Sequence, residues 1–260
     1  MASLDLSAYF RRTGFEGAAK ADLASLRALH FAHAAAIPFE NLAIQMGEGV
    51  SLDLDAIQDK LVRRKRGGYC FEQNSLFLAV LREIGFEAEP FEARVRGGER
   101  IRPRTHMLLR VRLPGGDHLA DVGFGGEGLL HPVPMDGEAY PQFGRAYRVA
   151  VEGSLRVLQS KQLVNWMDLY AFEPVPRLAV DFEMGNWYTS THPDSVFVKT
   201  LTAQRVTPEG RLVLRNLSFT TVRSDEAEER VLEPGELPKV LRDSFGLDIP
   251  DGTKFRAFES

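Results

Sequence analysis

Residues 66–74 read Arg66-Gly-Gly-Tyr-Cys-Phe-Glu-Gln-Asn74, and this stretch opens the best-defined helix that the sequence predicts. Apolar residues between Cys70 and Ile84 recur at the i, i+3, i+4, i+7 spacing of one helix face. Gly85 follows, at the position where a left-handed cap ends a helix. The paired glycines allow the backbone to turn and to approach another group closely, and they place Cys70 in the first helical turn.

Cys70 is the single cysteine among 260 residues, which excludes an intramolecular disulfide and a cysteine-rich metal site and fits a reducing compartment. The unpaired N–H groups and the positive dipole end of a first helical turn favour a thiolate over a thiol. The basic run Arg63-Arg-Lys-Arg66 adds positive charge nearby. Position alone leaves two interpretations open, a buried core residue or a nucleophile.

The apolar period changes from 3.6 to 2 after Gly85, which predicts helices before that residue and strands after it. Upstream, the 3-4-3 spacing from Leu23 to His33 predicts a helix that Pro38 ends. The predicted strands are Phe91–Val95, Met107–Leu113, Leu119–Phe124, Tyr147–Val151 and Leu155–Leu158. Separated by glycine and proline turns, they indicate an antiparallel meander or small barrel.

The C-terminal third has a mixed pattern. It predicts a hairpin between Val196–Val206 and Leu212–Val222, followed by a short amphipathic helix near Leu237–Phe245.

Charge and hydropathy limit the classes of partner that the protein can bind. The chain has 32 Lys and Arg against 36 Asp and Glu, a net charge of 32 − 36 = −4, which gives no global reason to bind nucleic acid. Asp5 precedes Arg11 and Arg12, the reverse of a signal peptide, and no apolar run approaches the ~20 residues of a membrane span. We therefore expect a cytoplasmic protein without nucleic-acid or membrane partners.

A nucleophilic thiolate needs a base, and the base needs a group that orients it. Among the six histidines, His106 stands out because it begins a predicted strand, opposite in phase to the apolar residues. Asp121 lies in the partner strand, on the same sheet face. Pairing about Gly115-Gly116, with residue numbers that sum to 231, would place Asp121 opposite Arg110. The alternative role for Asp121 is therefore an ion pair with Arg110.

In that register His106 and Asp121 lie four residues apart, or roughly 13 Å at about 3.3 Å per residue. A bulge or strong curvature would be needed to bring the two side chains together.

The segment Gly123-Phe-Gly-Gly-Glu-Gly128 satisfies the G-x-G-x-x-G pattern of dinucleotide sites. Its context excludes that function, because the proline-rich run Leu129-Leu-His-Pro-Val-Pro134 cannot open a helix. A glycine-rich turn beside a ligand site remains open.

Taken together, these motifs resemble the arylamine N-acetyltransferases in order and spacing. The matching segments are Pro38-Phe-Glu-Asn41, Arg66–Asn74, Thr105-His-Met107, Asp121-Val-Gly-Phe-Gly125 and Asn186-Trp-Tyr-Thr-Ser-Thr-His-Pro193. The resemblance implies an α+β, cysteine-protease-like fold. A helical bundle over residues 1–85 would carry the nucleophile, an antiparallel β-barrel over 86–190 the histidine and aspartate, and an α/β lid would span 191–260.

The same resemblance implies ping-pong N-acetylation of arylamines and arylhydrazines, with acetyl-CoA as co-substrate and with no metal or prosthetic group. Cys70, His106 and Asp121 would form the catalytic triad. The residues implied for the acceptor site are Phe39, Phe124 and Phe197, and those implied for coenzyme A are Gly125, Gly126, Tyr188, Thr191 and Ser195.

Three alternatives remain open. A Cys-His-Asp triad also suits a papain-like or transglutaminase-like thiol acyl hydrolase. Within the resembled family, an amide synthase that closes a macrocycle is possible. A binding module that has lost activity is the non-enzymatic alternative, and the sequence predicts neither the physiological amine nor the oligomeric state.

Overall fold

The computed structural model describes residues 3–97, 101–162, 164–207, 210–223, 226–250 and 252–259. The α-helices are α1 (Leu6–Thr13), α2 (Leu23–Ala36), α3 (Leu42–Gln45), α4 (Leu54–Gln58), α5 (Cys70–Ile84), α6 (Ala179–Thr191), α7 (Val196–Lys199) and α8 (Leu237–Phe245). The strands are β1 (Phe39–Glu40), β2 (Glu87–Val95), β3 (His106–Leu113), β4 (Gly116–Ala120), β5 (Val133–Pro134), β6 (Tyr140–Gln142), β7 (Arg145–Glu152), β8 (Leu155–Gln162), β9 (Asn165–Phe172), β10 (Thr202–Thr207), β11 (Gly210–Arg215), β12 (Ser218–Arg223) and β13 (Glu226–Val231).

Helix α5 begins and ends as the sequence predicts, and Gly85 caps it at φ +102°. Its first turn is held by the Glu72 carboxylate, which accepts the backbone N–H of Tyr69 at 3.2 Å. The buried face of α5 packs with α1 and α2 into one apolar core that also includes Met107 and Leu109 of β3. This packing fixes the position of Cys70 relative to the strands.

The predicted close approach at the paired glycines is confirmed. A Cβ on Gly67 would lie 2.2 Å from the carbonyl oxygen of Pro38, and one on Gly68 would lie 2.8 Å from the Glu72 carboxylate. The carbonyl of Gly68 accepts the backbone N–H of Glu40 at 3.0 Å. The segment before Cys70 therefore lies directly against β1, where side chains at 67 and 68 have no room.

Eight of the described strands form one antiparallel sheet in the order β5-β4-β3-β2-β9-β8-β7-β6. Strand β5 at one edge contacts β7 near the other, so the sheet curls into a nearly closed barrel. Leu108 points into the barrel core, whereas Met107 and Leu109 face α5. The first half of β3, from His106 to Leu109, is thus buried on both faces, and His106 is only 2% exposed.

The predicted register of the β3–β4 hairpin is wrong. Leu109 pairs with Ala120 and Leu113 with Gly116, so partner numbers sum to 229 rather than 231. The turn is Pro114-Gly115, one residue earlier than expected. Arg110 is opposite Leu119 and forms ion pairs with Glu89 and Asp117, so the alternative pairing of Arg110 with Asp121 is also wrong.

The remaining described strands form a second antiparallel sheet in the order β1-β10-β11-β12-β13. Helix α8, predicted from its amphipathic pattern, packs against this sheet. The predicted C-terminal hairpin is wrong in detail, because Val196–Lys199 is helical and the second arm divides into β11 and β12. Its turn residues 208–209 lie outside the described residues. No helix in the described part of the chain has the length and apolar character of a membrane span.

Candidate active site

Cys70 is the first residue of α5, and its side chain faces the start of β3. Its Sγ lies 3.6 Å from the carbonyl oxygen of Thr105, and the residue is only 3% exposed. The glycine-rich loop after β4 contacts it from another side, since a Cβ on Gly123 would lie 2.8 Å from the Cα of Cys70. The thiol is therefore held between α5, β3 and this loop.

His106 and Asp121 form a buried pair, with Nε2 of His106 2.7 Å from Oδ2 of Asp121. The observed register explains the contact. Extended past the end of β4 at Ala120, it places Asp121 next to Leu108, two residues from His106 instead of four. Diagonal neighbours of this kind lie within side-chain reach, and the β3–β4 pairing contains no bulge.

The carboxylate of Asp121 accepts four hydrogen bonds. Oδ1 accepts the side-chain amide of Asn74 and the backbone N–H of Gly123, each at 2.9 Å. Oδ2 accepts the ring N–H of His106 at 2.7 Å and the hydroxyl of Tyr170 at 2.8 Å. Burial disfavours the charged form, but the positive charge of His106 and these hydrogen bonds outweigh it and lower the pKa of Asp121.

Opposing effects also act on His106. Burial disfavours the imidazolium, while the charge and hydrogen bond of Asp121, together with interactions with the Cys70 side chain, favour it. The balance raises the pKa of His106 to about 10. Nε2 is occupied by Asp121, which leaves Nδ1 as the ring nitrogen for the thiol. The arrangement can therefore stabilise an imidazolium beside a thiolate.

Asn74 connects the three elements of this centre: helix α5, strand β3 and the loop after β4. It lies one turn after Cys70 on α5, and its amide nitrogen donates to the carbonyl of Met107 at 2.7 Å as well as to Asp121. Its amide oxygen accepts the backbone N–H of Val122 at 3.1 Å. Every polar atom of this buried side chain is thus paired with the strand that carries His106 or with the loop that carries Asp121.

The three phenylalanines implied for the acceptor site lie around the triad. Phe124 packs edge-on against His106, with ring centroids 5.1 Å apart. Phe197 is 5.9 Å from Phe39 and 5.7 Å from Tyr69, the neighbour of Cys70. Phe124 therefore contacts the triad directly, whereas Phe197 joins Phe39 to Tyr69, the residue before Cys70.

Gly125 and Gly126 line a cleft together with Phe39, Phe124 and Asp121. Gly125 adopts a left-handed φ of +85°, and Gly126 donates its backbone N–H to the side-chain oxygen of Gln204. A Cβ on either glycine would meet that oxygen within 2.8 Å. The side chain of Gln204 thus packs directly on the backbone of this turn at the edge of the cleft.

Tyr188, Thr191 and Ser195, the other residues implied for coenzyme A, do not line this cleft. The ring of Tyr188 stacks on His192 at 4.5 Å. Ser195 is buried, donates to the carbonyl of Thr189 at 2.5 Å and caps α7 by accepting the N–H of Phe197. Its hydroxyl is committed to the fold, whereas Thr191 is exposed on α6.

Sequence reasoning missed three neighbours of Asp121, namely Asn74, Tyr170 and His30. Asn74 carried a usable signal, since it lies on the same helix face as Cys70, one turn later. Tyr170 and His30 carried none, because they contact Asp121 across 49 and 91 residues of sequence. In the described part of the chain, no three His, Cys, Asp or Glu side chains form a group that could hold a metal ion.

The N-acetyltransferase family profile matches residues 22–254 of the chain. The arylamine N-acetyltransferase of Mycolicibacterium smegmatis is 38% identical over 258 residues, which cover 96% of this chain and 94% of that protein. The chain belongs to the arylamine N-acetyltransferase family. The Escherichia coli K12 arylamine N-acetyltransferase is 37% identical and is covered over 90% of its length.

Solved arylamine N-acetyltransferase structures share this fold. The Salmonella typhimurium structure has a TM-score of 0.90 at 36% identity, covering 96% of this chain and 94% of that chain. The Mycobacterium marinum structure in complex with CoA has a TM-score of 0.88 at 36% identity, covering 93% and 92%. The predicted α+β fold and the prediction of an acetyltransferase enzyme are confirmed.

Proposed function

We propose that the protein transfers the acetyl group of acetyl-CoA to arylamines and arylhydrazines through an acetyl-cysteine at Cys70. The observation that carries this proposal is the buried His106–Asp121 pair beside the thiol at the start of α5. Such an arrangement supplies both a nucleophile and a proton carrier, as covalent acyl transfer requires.

In the first half-reaction the thiolate of Cys70 attacks the carbonyl carbon of the acetyl thioester. The bond from that carbon to the CoA sulfur breaks, and the imidazolium of His106 supplies the proton that CoA carries away. In the second half-reaction the amine nitrogen attacks the acetyl-cysteine. His106 takes the proton released by the amine while the bond to Sγ breaks, which regenerates the starting enzyme.

Asp121 would orient the ring of His106 and stabilise its positive form, since it binds Nε2 and leaves Nδ1 toward Cys70. The tetrahedral intermediates carry a negative oxygen that needs hydrogen-bond donors. We assign one of these donors to the backbone N–H of Cys70, which begins α5 and has no partner within the helix.

The surroundings of the thiol favour small, flat acceptors. An arylamine is neutral at pH 7 and gains from apolar contacts, which Phe39, Phe124 and Phe197 would supply. At 3% exposure Cys70 is too deeply set for a folded polypeptide to reach, which argues against a protease-like hydrolase.

Coenzyme A would enter beside the Gly125–Gly126 turn, which lines the cleft and carries the Gln204 side chain packed directly on its backbone. The name of the Mycobacterium marinum structure reports bound CoA, which supports CoA as the acyl carrier here. Tyr188 and Thr191 are the outer contacts in this proposal, and Ser195 would act by holding α7 and Phe197 in place.

We also propose the functional division into residues 1–85, 86–190 and 191–260. The first segment would supply the nucleophile, and the second would supply the His106–Asp121 pair. The third would form the α/β lid over the site. The barrel core, whose buried residues all lie between Phe91 and Phe172, supports this division, and the core around α8 draws on residues 201–255 together with Leu42 of the first segment.

Mass spectrometry after mixing the protein with acetyl-CoA tests the proposal. We expect one added acetyl group, located on Cys70, and its loss when an aromatic amine is added. The Cys70→Ala variant should remain unmodified. An unmodified wild-type protein, or an equal adduct on the variant, would overturn the proposal.

The role of His106 as the base is tested with two matched variants, His106→Gln and His118→Gln. Both histidines are buried, and they lie on adjacent strands. His118 bonds the carbonyl of Gly116, away from the thiol. Iodoacetamide alkylation reports on Cys70 alone, because the chain has no other cysteine. We expect slower alkylation at pH 7 only in His106→Gln, and equal rates in both variants would remove His106 from its role.

A further inference from the structure

His30 is a fully buried residue of α2 that uses both ring nitrogens. Nε2 accepts the backbone N–H of Asp121 at 3.1 Å, and Nδ1 lies 3.1 Å from the carbonyl oxygen of Leu130. A backbone N–H can only donate and a carbonyl can only accept. The contacts therefore fix the tautomer, with the proton on Nδ1 and a lone pair on Nε2.

Its two partners are the ends of one loop. Strand β4 ends at Ala120, so the N–H of Asp121 has no strand partner, and His30 takes the place of one. The loop from Asp121 to Leu130 also carries Phe124 and the Gly125–Gly126 turn. The position of His30 thus affects the carboxylate and the rim of the cleft together.

The ring is held in place and uncharged. Phe77 of α5 packs edge-on against it, with centroids 5.7 Å apart. Burial lowers the pKa of His30 to about 4, the charge of Asp121 acts in the opposite direction, and His131 adds to the lowering. His33, one turn along α2, also interacts with it electrostatically. Near neutral pH the Nε2 lone pair therefore stays available.

We propose that His30 is a positioning residue for the catalytic centre. By fixing the backbone of Asp121 it aims Oδ2 at His106, and through that pair it stabilises the thiolate of Cys70. This inference rests on the proposed function of the triad.

Two substitutions test the two hydrogen bonds of His30 one at a time. In His30→Gln the longer amide can place an acceptor near the former Nε2, whereas in His30→Asn the shorter amide reaches only toward Leu130. The measurement is the pH dependence of Cys70 alkylation by iodoacetamide. We expect the Asn variant to reach the same alkylation rate only at a pH about half to one unit higher than wild type, which is the effect of losing one hydrogen bond. The Gln variant should stay close to wild type.

His33→Gln is the matched control, since His33 is equally buried and packs on the same Phe77 ring but does not touch Asp121. It should lower thermal stability without moving the alkylation profile. Equal profiles for His30→Gln and His30→Asn, or a shift in His33→Gln as large as in His30→Asn, would overturn the inference. Because alkylation needs no acetyl-CoA, this result is separate from the acetyl-adduct test: a missing adduct would refute only the proposed transfer reaction.

Discussion

Replacing Asp121 by Asn changes the charge of the site with almost no change in shape. All four atoms that now donate to the carboxylate would face an amide with one oxygen and one NH₂ group. Two of those donors would then meet another donor. Either His106 or Asn74 therefore loses its acceptor, depending on which way the new amide is oriented.

The magnitude can be worked out from a second histidine of the same protein. His33 is as deeply buried as His106 but bonds only the neutral side chains of Gln73 and Tyr9. Burial lowers the pKa of His33 to about 3, whereas Asp121 contributes to raising that of His106 to about 10. Without the carboxylate, the pKa of His106 would approach that of His33. At pH 7 its charged fraction would fall from nearly all molecules to about 10⁻³ to 10⁻⁴.

The assay is acetyl transfer from acetyl-CoA to an aromatic amine at pH 7, together with alkylation of Cys70. For Asp121→Asn we expect kcat/KM to fall by about 10³-fold or more, and alkylation by more than about tenfold. Asp117→Asn, which alters a half-buried ion pair with Arg110 on the same hairpin, should stay within about twofold of wild type. Turnover of Asp121→Asn within tenfold of wild type at an unchanged melting temperature would refute the electrostatic argument.

Three further predictions follow from neighbouring features. His33 has a folded pKa below its unfolded value, so the unfolded chain binds the extra proton and stability falls as pH drops below about 6.5. Denaturant titrations should show a loss of about 1.4 kcal/mol per pH unit from His33, which His33→Gln removes, beside a similar loss from His30, which the variant leaves in place. Gly123→Ala would place a Cβ 2.8 Å from the Cα of Cys70 and should cut turnover at least about tenfold, whereas Gly115→Ala meets no atom within 4 Å and should leave turnover unchanged. Phe124→Leu removes a ring from the site and should raise the KM for an arylamine about tenfold, with acetylation of Cys70 retained; an unchanged KM would place the acceptor elsewhere.

Local patterns in the sequence predicted local structure well. The spacing of apolar residues gave both ends of α5, because its first turn follows two glycines and Gly85 caps it. The close approach at Gly67 and Gly68 also followed from residue type alone. Both features depend on steric rules that act over a few residues.

The hairpin between β3 and β4 shows where such reasoning fails. Parity correctly placed His106 and Asp121 on one face, because a change of two in the register sum preserves it. The choice of turn, Pro114-Gly115 instead of Gly115-Gly116, decides whether the two residues lie two or four positions apart. Sequence alone does not distinguish two adjacent glycine-containing turns.

The supports of Asp121 lie beyond the reach of pattern reasoning. Tyr170 belongs to β9, a strand that the alternation of residues did not reveal, and His30 looked like an ordinary member of a helix face. Their contacts are created by barrel closure and by packing of α2 against it. Such long-range effects follow from the whole fold rather than from a motif.

The pairing of β1 with β10 has a consequence for how the protein forms during synthesis. Phe39 pairs with Gln204, so a strand made early in translation must wait for one made about 165 residues later. Until that segment leaves the ribosome, the edge of β1 is open. The free edge of β1, which lies against the segment before Cys70, is therefore paired only near the end of translation, and a truncated chain ending before residue 202 would leave this edge open to other chains.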